Sequence, residues 1–388
     1  MGKHKRIRYI VFYDVPENHG EKRQTCLAAT NKIDYICSVL VRNNYEVEII
    51  SPSWTNCITG FYKGDRKHIS KYVSLKTFCT FGAKYRVQRI FKYMFSLIQL
   101  FIYLLIHVRR DESVIVYHSV LLFFPVKLAK RLKGFNLILE VEEIYQNVVE
   151  LSEVFKRSEY AFFDSADKYI FSTELLHERI NSREKPYAVV HGTYQVERMR
   201  ETKFDDNRVH VVYAGTLDSR KGGAFVAAAS AEFLDENYHV HIIGFGTREQ
   251  TNHLESIVDR INKESEAIVS YDGLLMGEDY VRFLQKCHIG LSTQNPDGEY
   301  NNTSFPSKIL SYLANGLRVV TIRIEAIERS VIGDKVYYYE EQDPREIASV
   351  ISRIDLNQTY DSRQVINGLD AEFSDRLMKL LDSDTELR

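Results

Sequence analysis

The chain has 388 residues, a formal net charge of −2 and 44% hydrophobic residues. This length predicts two or three domains, and the hydrophobic content excludes a disordered chain. The five cysteines include no Cys-x-x-Cys pair, which argues against a disulfide framework or a cysteine zinc site and favours a cytosolic protein. The basic start leads directly into a strand without an apolar signal segment, so we expect no export.

The near-neutral total hides an uneven distribution of charge. Residues 1–133 carry 23 Lys and Arg against 9 Asp and Glu, a net of +14, while the remaining 28 and 44 give −16. Such a basic half favours an anionic partner, either a phosphate-rich substrate or an anionic membrane surface, unless the two halves simply complement each other. Nucleic acid is disfavoured as a partner, because no DNA- or RNA-binding motif accompanies the charge.

The first 200 residues alternate strand and helix patterns. Apolar and β-branched runs predict strands at residues 8–15, 46–51, 113–117, 136–141, 168–172 and 187–190. Residues 55–85 give no clear pattern. Ligands bind at the carboxyl ends of the strands in a doubly wound sheet. The predicted active edge therefore consists of residues 16–20, His118, Glu142, Glu143, Ser172, His191 and Gly192.

One segment of the basic half could contact a membrane. Residues 94–108 are mostly apolar and have basic residues on both sides. Gln99 and His107 interrupt the run, which is shorter than the ~20 residues that a spanning helix needs. We therefore interpret it first as a helix buried against the N-terminal sheet, with an interfacial helix on anionic lipid as the alternative.

A second alternation of strands and helices begins at residue 209, after a polar linker at residues 205–207. Strands are predicted from residue 209 and at residues 238–246, 267–273, 288–293 and 318–322. Glycines follow the first two strands, and the basic pair Arg220-Lys221 precedes a helix rich in small residues. This order predicts a second parallel sheet that carries its ligand at the carboxyl ends of its strands.

The stretch 301–320, NNTSFPSKILSYLANGLRVV, is the most informative part of the chain. Pro306 suits the first position of a helix, and Asn315-Gly316 suits its end. The free backbone N–H groups, the Ser307 hydroxyl and the Lys308 ammonium together suit an anion such as a diphosphate. The alternative is an ordinary capped helix in a parallel sheet.

In this order, these motifs resemble the donor-binding domain of family 4 retaining glycosyltransferases of the bacterial surface-polysaccharide type. The resemblance is good over residues 209–354 and looser over the N-terminal half. It implies the GT-B fold, in which two doubly wound Rossmann-like domains face a central cleft. The expected domains are an acceptor-binding domain at 1–200, with the tail 362–388 packed on it, and a donor-binding domain at 207–361.

The resemblance also implies which residues bind a nucleotide diphosphate sugar, with a UDP-sugar favoured, and it implies neither a cofactor nor a metal. Lys221 matches the family lysine, whereas the family arginine falls at Thr216 and could be replaced by Arg220. The two family glutamates fall at Thr303 and Ser311, neither of them acidic, which puts activity in doubt. The full set of predicted donor-binding residues is Gly215, Thr216, Arg220, Lys221, Gly244, Thr303, Ser304, Phe305, Pro306, Ser307, Lys308 and Ser311.

On the acceptor side, relatives often carry acidic residues where this chain has EVEEIY, residues 140–145. The resemblance therefore makes Glu143 or Glu142 the candidate to receive the acceptor proton, with helix capping as the alternative. His118 and Lys221 complete the predicted catalytic set, although a buried structural histidine fits His118 as well. His19 and Gly20 are further candidates for acceptor binding.

The implied function is transfer of a sugar, with retention of configuration, to a glycan acceptor that is lipid-linked or an oligosaccharide, at the cytoplasmic face of the cell membrane. A non-catalytic GT-B partner subunit or glycan-binding protein is the alternative, since Thr303 and Ser311 replace both glutamates. A sugar-nucleotide epimerase is the third interpretation. It should have several pocket carboxylates and no basic half that faces lipid.

Overall fold

The computed structural model describes residues 4–15, 18, 20–25, 27–147, 152–200, 203–220, 223–296, 298, 301 and 303–382. The chain divides into two compact units. The first unit contains Met1–Val190 and Phe373–Arg388, and the second contains His191–Glu372. Both are α/β units with largely parallel sheets, which confirms the predicted fold class.

The first unit is built on a sheet whose strand order is β10-β9-β8-β7-β1-β2-β5-β4. Every pairing in it is parallel except that of β4 with β5. The strands are β1 Lys5–Ile10, β2 Tyr45–Ser51, β3 Phe61–Tyr62, β4 Arg66–Ser70, β5 Val73–Thr77, β6 Thr80–Phe81, β7 Ser113–Tyr117, β8 Asn136–Val141, β9 Lys168–Phe171 and β10 Tyr187–Val189. Strands β3 and β6 form a separate antiparallel pair.

Helices cover this sheet and bury its apolar strands. They are α1 Leu27–Arg42, α2 Arg86–His107, α3 Phe123–Lys133, α4 Glu153–Ser165 and α5 Glu174–Ile180. Central strands such as β8 are buried over nearly their whole length, as expected for parallel strands covered on both faces. Residues 373–380 pack on the same unit, because Phe373 stacks on Tyr35 and Lys168 donates to the carbonyl of Leu380.

The second unit is built on a fully parallel sheet with the strand order β13-β12-β11-β14-β15-β16. Its strands are β11 Val209–Thr216, β12 Tyr238–Phe245, β13 Ile268–Gly273, β14 Ile289–Ser292, β15 Arg318–Ile322 and β16 Tyr337–Tyr339. Its helices are α6 Ala224–Ala229, α7 Arg248–Glu264, α8 Gly277–Lys286, α9 Lys308–Ala314, α10 Glu325–Glu328 and α11 Pro344–Ser352. Helix α12, Ser362–Asp382, begins in this unit, and its residues from Phe373 onward belong to the first unit. Strand order reverses between β11 and β14, which is where ligands bind in such sheets.

Helix α2 includes all but the last residue of the dense apolar run at residues 94–108 and extends before it. It begins at Arg86, eight residues before the dense apolar run, and has 22 residues. Its length and composition would allow it to cross a membrane, but a buried core helix can pass the same test. One face, with Ser96, Leu100 and Leu104, packs into the unit. The other face leaves Ile90, Phe91 and other apolar residues exposed. Core packing therefore explains the apolar residues of only one face of the helix.

Candidate functional site

The best-defined candidate site lies at the carboxyl ends of β11 and β14, where the strand order of the second unit reverses. Gly223 follows β11 and Thr293 follows β14. A Cβ atom on Gly223 would lie 1.7 Å from the Thr293 carbonyl oxygen, and the Thr293 hydroxyl donates to the Gly223 carbonyl at 3.0 Å. Only glycine allows this close approach. The two loops are therefore held together at the edge where a ligand is expected.

Two neighbouring glycines leave the backbone bare at the same edge. Gly215 of β11 pairs in register with Gly244 of β12. Gly244 has a φ of +149°, and a Cβ atom on it would lie 1.7 Å from the Gly215 carbonyl oxygen. Both the dihedral angle and the lack of space therefore require glycine at position 244.

Lys308 projects its side chain from the start of α9 toward this bare edge. Its ammonium lies 4.4 Å from the centre of the Tyr213 ring and 2.8 Å from the position that a Cβ atom on Gly215 would occupy. Burial lowers the pKa of Lys308 to about 8. Over the described part of the chain it makes no hydrogen bond or ion pair with a carboxylate. Such a desolvated cation is suited to bind an anion.

The basic pair after β11 contributes less than predicted within the described residues. Arg220 is exposed and donates to both carboxylate oxygens of Asp218, at 3.0 and 2.8 Å. Its charge is therefore already matched by a neighbour. Thr216, at the position of the family arginine, accepts a hydrogen bond from the Asp218 backbone N–H. Lys221 lies outside the described residues.

The predicted loop before α9 is packed rather than open. Thr303 is fully buried, and Phe305 is nearly so. The Phe305 ring stacks on His191 with centroids 4.7 Å apart. A Cβ atom on Gly192 would lie 2.8 Å from Leu310 Cδ1 and 3.7 Å from Ser307 Cβ. The loop at His191-Gly192 is thus part of the second unit and supports the start of α9, with Ser307 exposed and Ser304 and Pro306 half-buried.

Ser311 lies on the first turns of α9. Its hydroxyl is 3.2 Å from the hydroxyl of Tyr280 on α8, and either group could donate. The pair offers two neutral oxygen atoms at the position of a family glutamate. Tyr280 was not predicted from the sequence, because its contact with Ser311 joins residues 31 positions apart.

In the first unit, His118 is a core residue. It is only 2% exposed, and its ring lies against Tyr145 and Phe163, with centroids 5.0 and 4.8 Å away. Burial lowers its pKa to about 3. The imidazole is therefore neutral at pH 7, and its burial argues against direct contact with a substrate.

In the acidic segment after β8, Glu142 forms an ion pair. Lys32 of α1 is 6% exposed and pairs with Glu142. Glu143 is half-buried next to it, and Gly20 is exposed. His19 lies outside the described residues. Lys32 thus engages Glu142, while Glu143 stays a sequence-based candidate for a group that receives a proton.

Glu140 on the same strand was not predicted as a site residue. It is fully buried and accepts a hydrogen bond from Tyr9. Burial and the neighbouring Glu142 raise its pKa to about 8. Its position inside the apolar strand pattern of β8 gave no sequence signal of this environment.

Comparison with known proteins agrees with this architecture. Residues 208–355 match the family model for glycosyl transferases group 1. No curated protein sequence matches the chain. The E. coli structure described as trehalose-6-phosphate bound with UDP-2-fluoro glucose matches with a TM-score of 0.66 and 13% identity, over 98% of each chain.

Two further structures match over almost the whole chain. The apo form of the lipopolysaccharide outer core galactosyltransferase WaaB has a TM-score of 0.60 and 13% identity, over 98% of this chain and 99% of the other. Anabaena Alr3699/HepE in complex with UDP and glucose has a TM-score of 0.59 and 13% identity, over 99% of each. Identities this low establish the fold alone. The chain therefore has the GT-B fold, and its second unit carries a domain that matches the group 1 glycosyl transferases.

Proposed function

We propose that the protein is a glycosyltransferase that moves a sugar from a nucleotide diphosphate, most simply UDP, to a glycan acceptor with retention of configuration. The observation that carries the proposal is Lys308. Its ammonium has no acidic partner in the described chain, and it lies beside the bare backbone of Gly215 at the reversal of the sheet. The family match over residues 208–355 supports the same chemistry.

Lys308 would bind the donor diphosphate and stabilise the charge that develops on the leaving nucleotide. A cation in a desolvated site stabilises such charge more than it would in water. Arg220 and Lys221 are the proposed additional cations, with Arg220 exchanging Asp218 for phosphate. The hydroxyl groups of Ser311 and Tyr280 would bind the ribose in place of the family glutamate.

On the acceptor side, we propose that Glu143 receives the proton of the attacking hydroxyl. Lys32 holds Glu142, the preceding residue, through an ion pair. His118 remains a proposed support for this segment through its packing against Tyr145, rather than a group that touches substrate.

We further propose that the first unit docks on an anionic lipid surface, where a lipid-linked acceptor would be found. The α2–α3 surface is defined by exposed apolar side chains on two neighbouring helices: Val87, Ile90, Phe91, Met94, Ile98, Ile102 and Ile106 on α2, and Phe124, Leu128 and Leu132 on α3. These side chains are between 48% and 68% exposed. An apolar surface of this extent usually marks an interaction site.

Charge supports lipid as the occupant of the α2–α3 surface. Arg86 and Arg89 on α2 and Lys127 and Arg131 on α3 are exposed on the same helices, within the half that carries the net charge of +14. Apolar residues in the acyl boundary with basic residues on lipid phosphates are typical of interfacial helices. We therefore propose the cytoplasmic face of the membrane as the site of action, with surface-polysaccharide synthesis as the proposed pathway.

The proposal is tested with a panel of nucleotide sugars, by thermal protection and by release of free sugar from the donor. One UDP-sugar should protect the protein and be slowly hydrolysed. No protection by any nucleotide sugar at millimolar concentration would contradict it. The burial of the neutral Thr303 favours a non-catalytic partner as the second candidate. Protection without hydrolysis, and without transfer to a membrane extract of the native host, would select that candidate.

A further inference from the structure

The second unit contains a cluster of imidazoles at the end of the sheet opposite the donor site. His210 lies near the start of β11, and His239 and His241 lie near the start of β12. One ring nitrogen from each lies within 4.8 Å of the others. We propose that these three histidines bind one divalent transition-metal ion of the zinc type, with Asp206 and Asp272 as the carboxylates that orient them.

The hydrogen-bond chain through two of these histidines lacks one proton. His210 Nε2 lies 2.7 Å from Asp206 Oδ1, and His241 Nδ1 lies 3.1 Å from Asp272 Oδ2. A carboxylate only accepts, so these two ring nitrogens must carry the protons of the neutral imidazoles. The remaining nitrogens, His210 Nδ1 and His241 Nε2, then face each other at 2.9 Å with two lone pairs.

Two facing lone pairs need a cation between them. An additional proton would satisfy the pair, and so would a metal ion. In tetrahedral zinc sites with Zn–N distances of about 2.0 Å, two ligand nitrogens are roughly 3.3 Å apart. The His210–His241 pair would therefore have to open by about 0.4 Å, and His239, whose ring nitrogen lies within 4.8 Å of the other two, would have to move closer to complete the site. The carboxylate–histidine–metal arrangement is also the one that ligating histidines adopt in metalloproteins.

The third imidazole favours a metal over a proton. Ser270 donates to Asp272 at 2.8 Å, so it can only accept from His239 Nε2 at 3.0 Å. The lone pair of His239 is therefore on Nδ1, and a ring nitrogen of this third imidazole lies within 4.8 Å of those of the other two.

The surroundings suit a structural ion rather than a catalytic one. Phe204 stacks on His210 and His241, with centroids 3.9 and 5.0 Å away, and shields one side of the cluster. The ligands come from two adjacent strands, and Asp206 comes from the segment before β11. A bound ion would thus fasten this segment to the sheet. Sequence analysis predicted no metal site, because these residues are spread over separate strands and contain no cysteine.

The test is calorimetric titration of the chelator-treated, nucleotide-free protein with zinc chloride, and with cobalt chloride as a spectroscopic probe. We expect one ion per chain, visible cobalt bands of a four-coordinate site, and a rise in melting temperature with zinc. Asp272→Asn should weaken binding about 10–100-fold, as loss of an orienting carboxylate does, and His239→Gln should abolish one-to-one binding.

His253→Gln is the matched control, because His253 is exposed on α7 away from the cluster, and it should bind as the wild type does. Because His239 is only half-buried, His239→Gln should fold, which circular dichroism checks. Absence of one-to-one binding in the wild type would overturn the proposal. Wild-type zinc affinity in both the His239→Gln and Asp272→Asn variants would also overturn it. The cation between His210 and His241 would then be a shared proton.

Discussion

The ammonium of Lys308 occupies the space that a side chain on Gly215 would need. A Cβ atom at position 215 would lie 2.8 Å from Lys308 Nζ and 3.1 Å from the Tyr213 hydroxyl. The glycine therefore makes room for the lysine, and the Tyr213 ring supports the charge from one side. This arrangement keeps a cation at the reversal of the sheet.

Gly215→Ala should affect ligand binding more than folding. The obstructed atom is the end of a flexible side chain, so Lys308 can move aside, but it then leaves the position proposed for the diphosphate. We expect weaker UDP binding by calorimetry with a nearly unchanged free energy of unfolding. Gly244→Ala is the contrasting variant. A Cβ atom at position 244 would collide with the Gly215 backbone, and this residue has a φ of +149°. The substitution should therefore cost about 1–3 kcal/mol of stability. Equal effects of the two variants on UDP affinity and on stability would refute this distinction.

Donor binding should weaken as the pH rises through 8. Burial lowers the pKa of Lys308 to about 8, so the free protein loses this proton between pH 7 and 9, while the diphosphate stays ionised. Each pH unit above the pKa lowers the fraction of charged lysine about tenfold. UDP should therefore bind about tenfold more weakly at pH 9 than at pH 7. Lys308→Arg keeps its charge over this range and should bind with little dependence on pH; a wild type with a similarly flat profile would disprove the role of this titration.

Glu140 should make the protein less stable as the pH rises from 5 to 8. Burial and Glu142 raise its pKa to about 8. The folded state therefore keeps a proton that the unfolded state has lost above its ordinary pKa of 4.5, and the stabilisation disappears as the pH approaches 8. Glu140→Gln has nothing to titrate, so its free energy of unfolding in urea should fall less between pH 5 and 8. The exposed Glu255→Gln serves as control and should follow the wild type; an identical fall in the Glu140 variant would contradict the expectation.

The α2–α3 surface should bind anionic vesicles. Phe91 and Phe124 are 66% and 61% exposed, so replacing both by Ser should reduce sedimentation with phosphatidylserine vesicles without loss of stability. Added salt should release the wild-type protein, because the basic residues of α2 and α3 contribute through screened charge. Met276→Ser, 71% exposed in the second unit, is the matched control. Equally weak binding of the wild type to neutral and anionic vesicles at low salt would leave α2 as a core helix only.

The sequence was sufficient to predict the fold because its strongest signals are local. Buried runs such as β8 and β15 appear as continuous apolar segments, and Asn315-Gly316 ends α9 with a φ of +95° at Gly316. The elements that the sequence did not predict were also short and local. Strands β3 and β6 have two residues each, too few to show a period.

The candidate site was less predictable, because its properties depend on contacts between distant segments. The unmatched charge of Lys308 follows from the space at Gly215 and the ring of Tyr213, and neither is visible in the motif around Pro306. The spacing of Arg220 and Asp218 is compatible with the ion pair that they form. The sequence analysis instead predicted that Arg220 contacts phosphate. The burial of His118 depends on Phe163 and Tyr145, which follow it by more than 25 residues.

The most direct test of the proposed donor site compares UDP binding by the wild type, Lys308→Met and Arg220→Met at pH 7. Methionine keeps most of the length of the Lys308 side chain and removes its charge. We expect Lys308→Met to lose on the order of 1.5–3 kcal/mol of binding free energy, the range for a charged hydrogen bond. Arg220→Met should lose less, because Asp218 already matches its charge. Unchanged affinity in Lys308→Met, measured by calorimetry on a folded variant, would contradict the account.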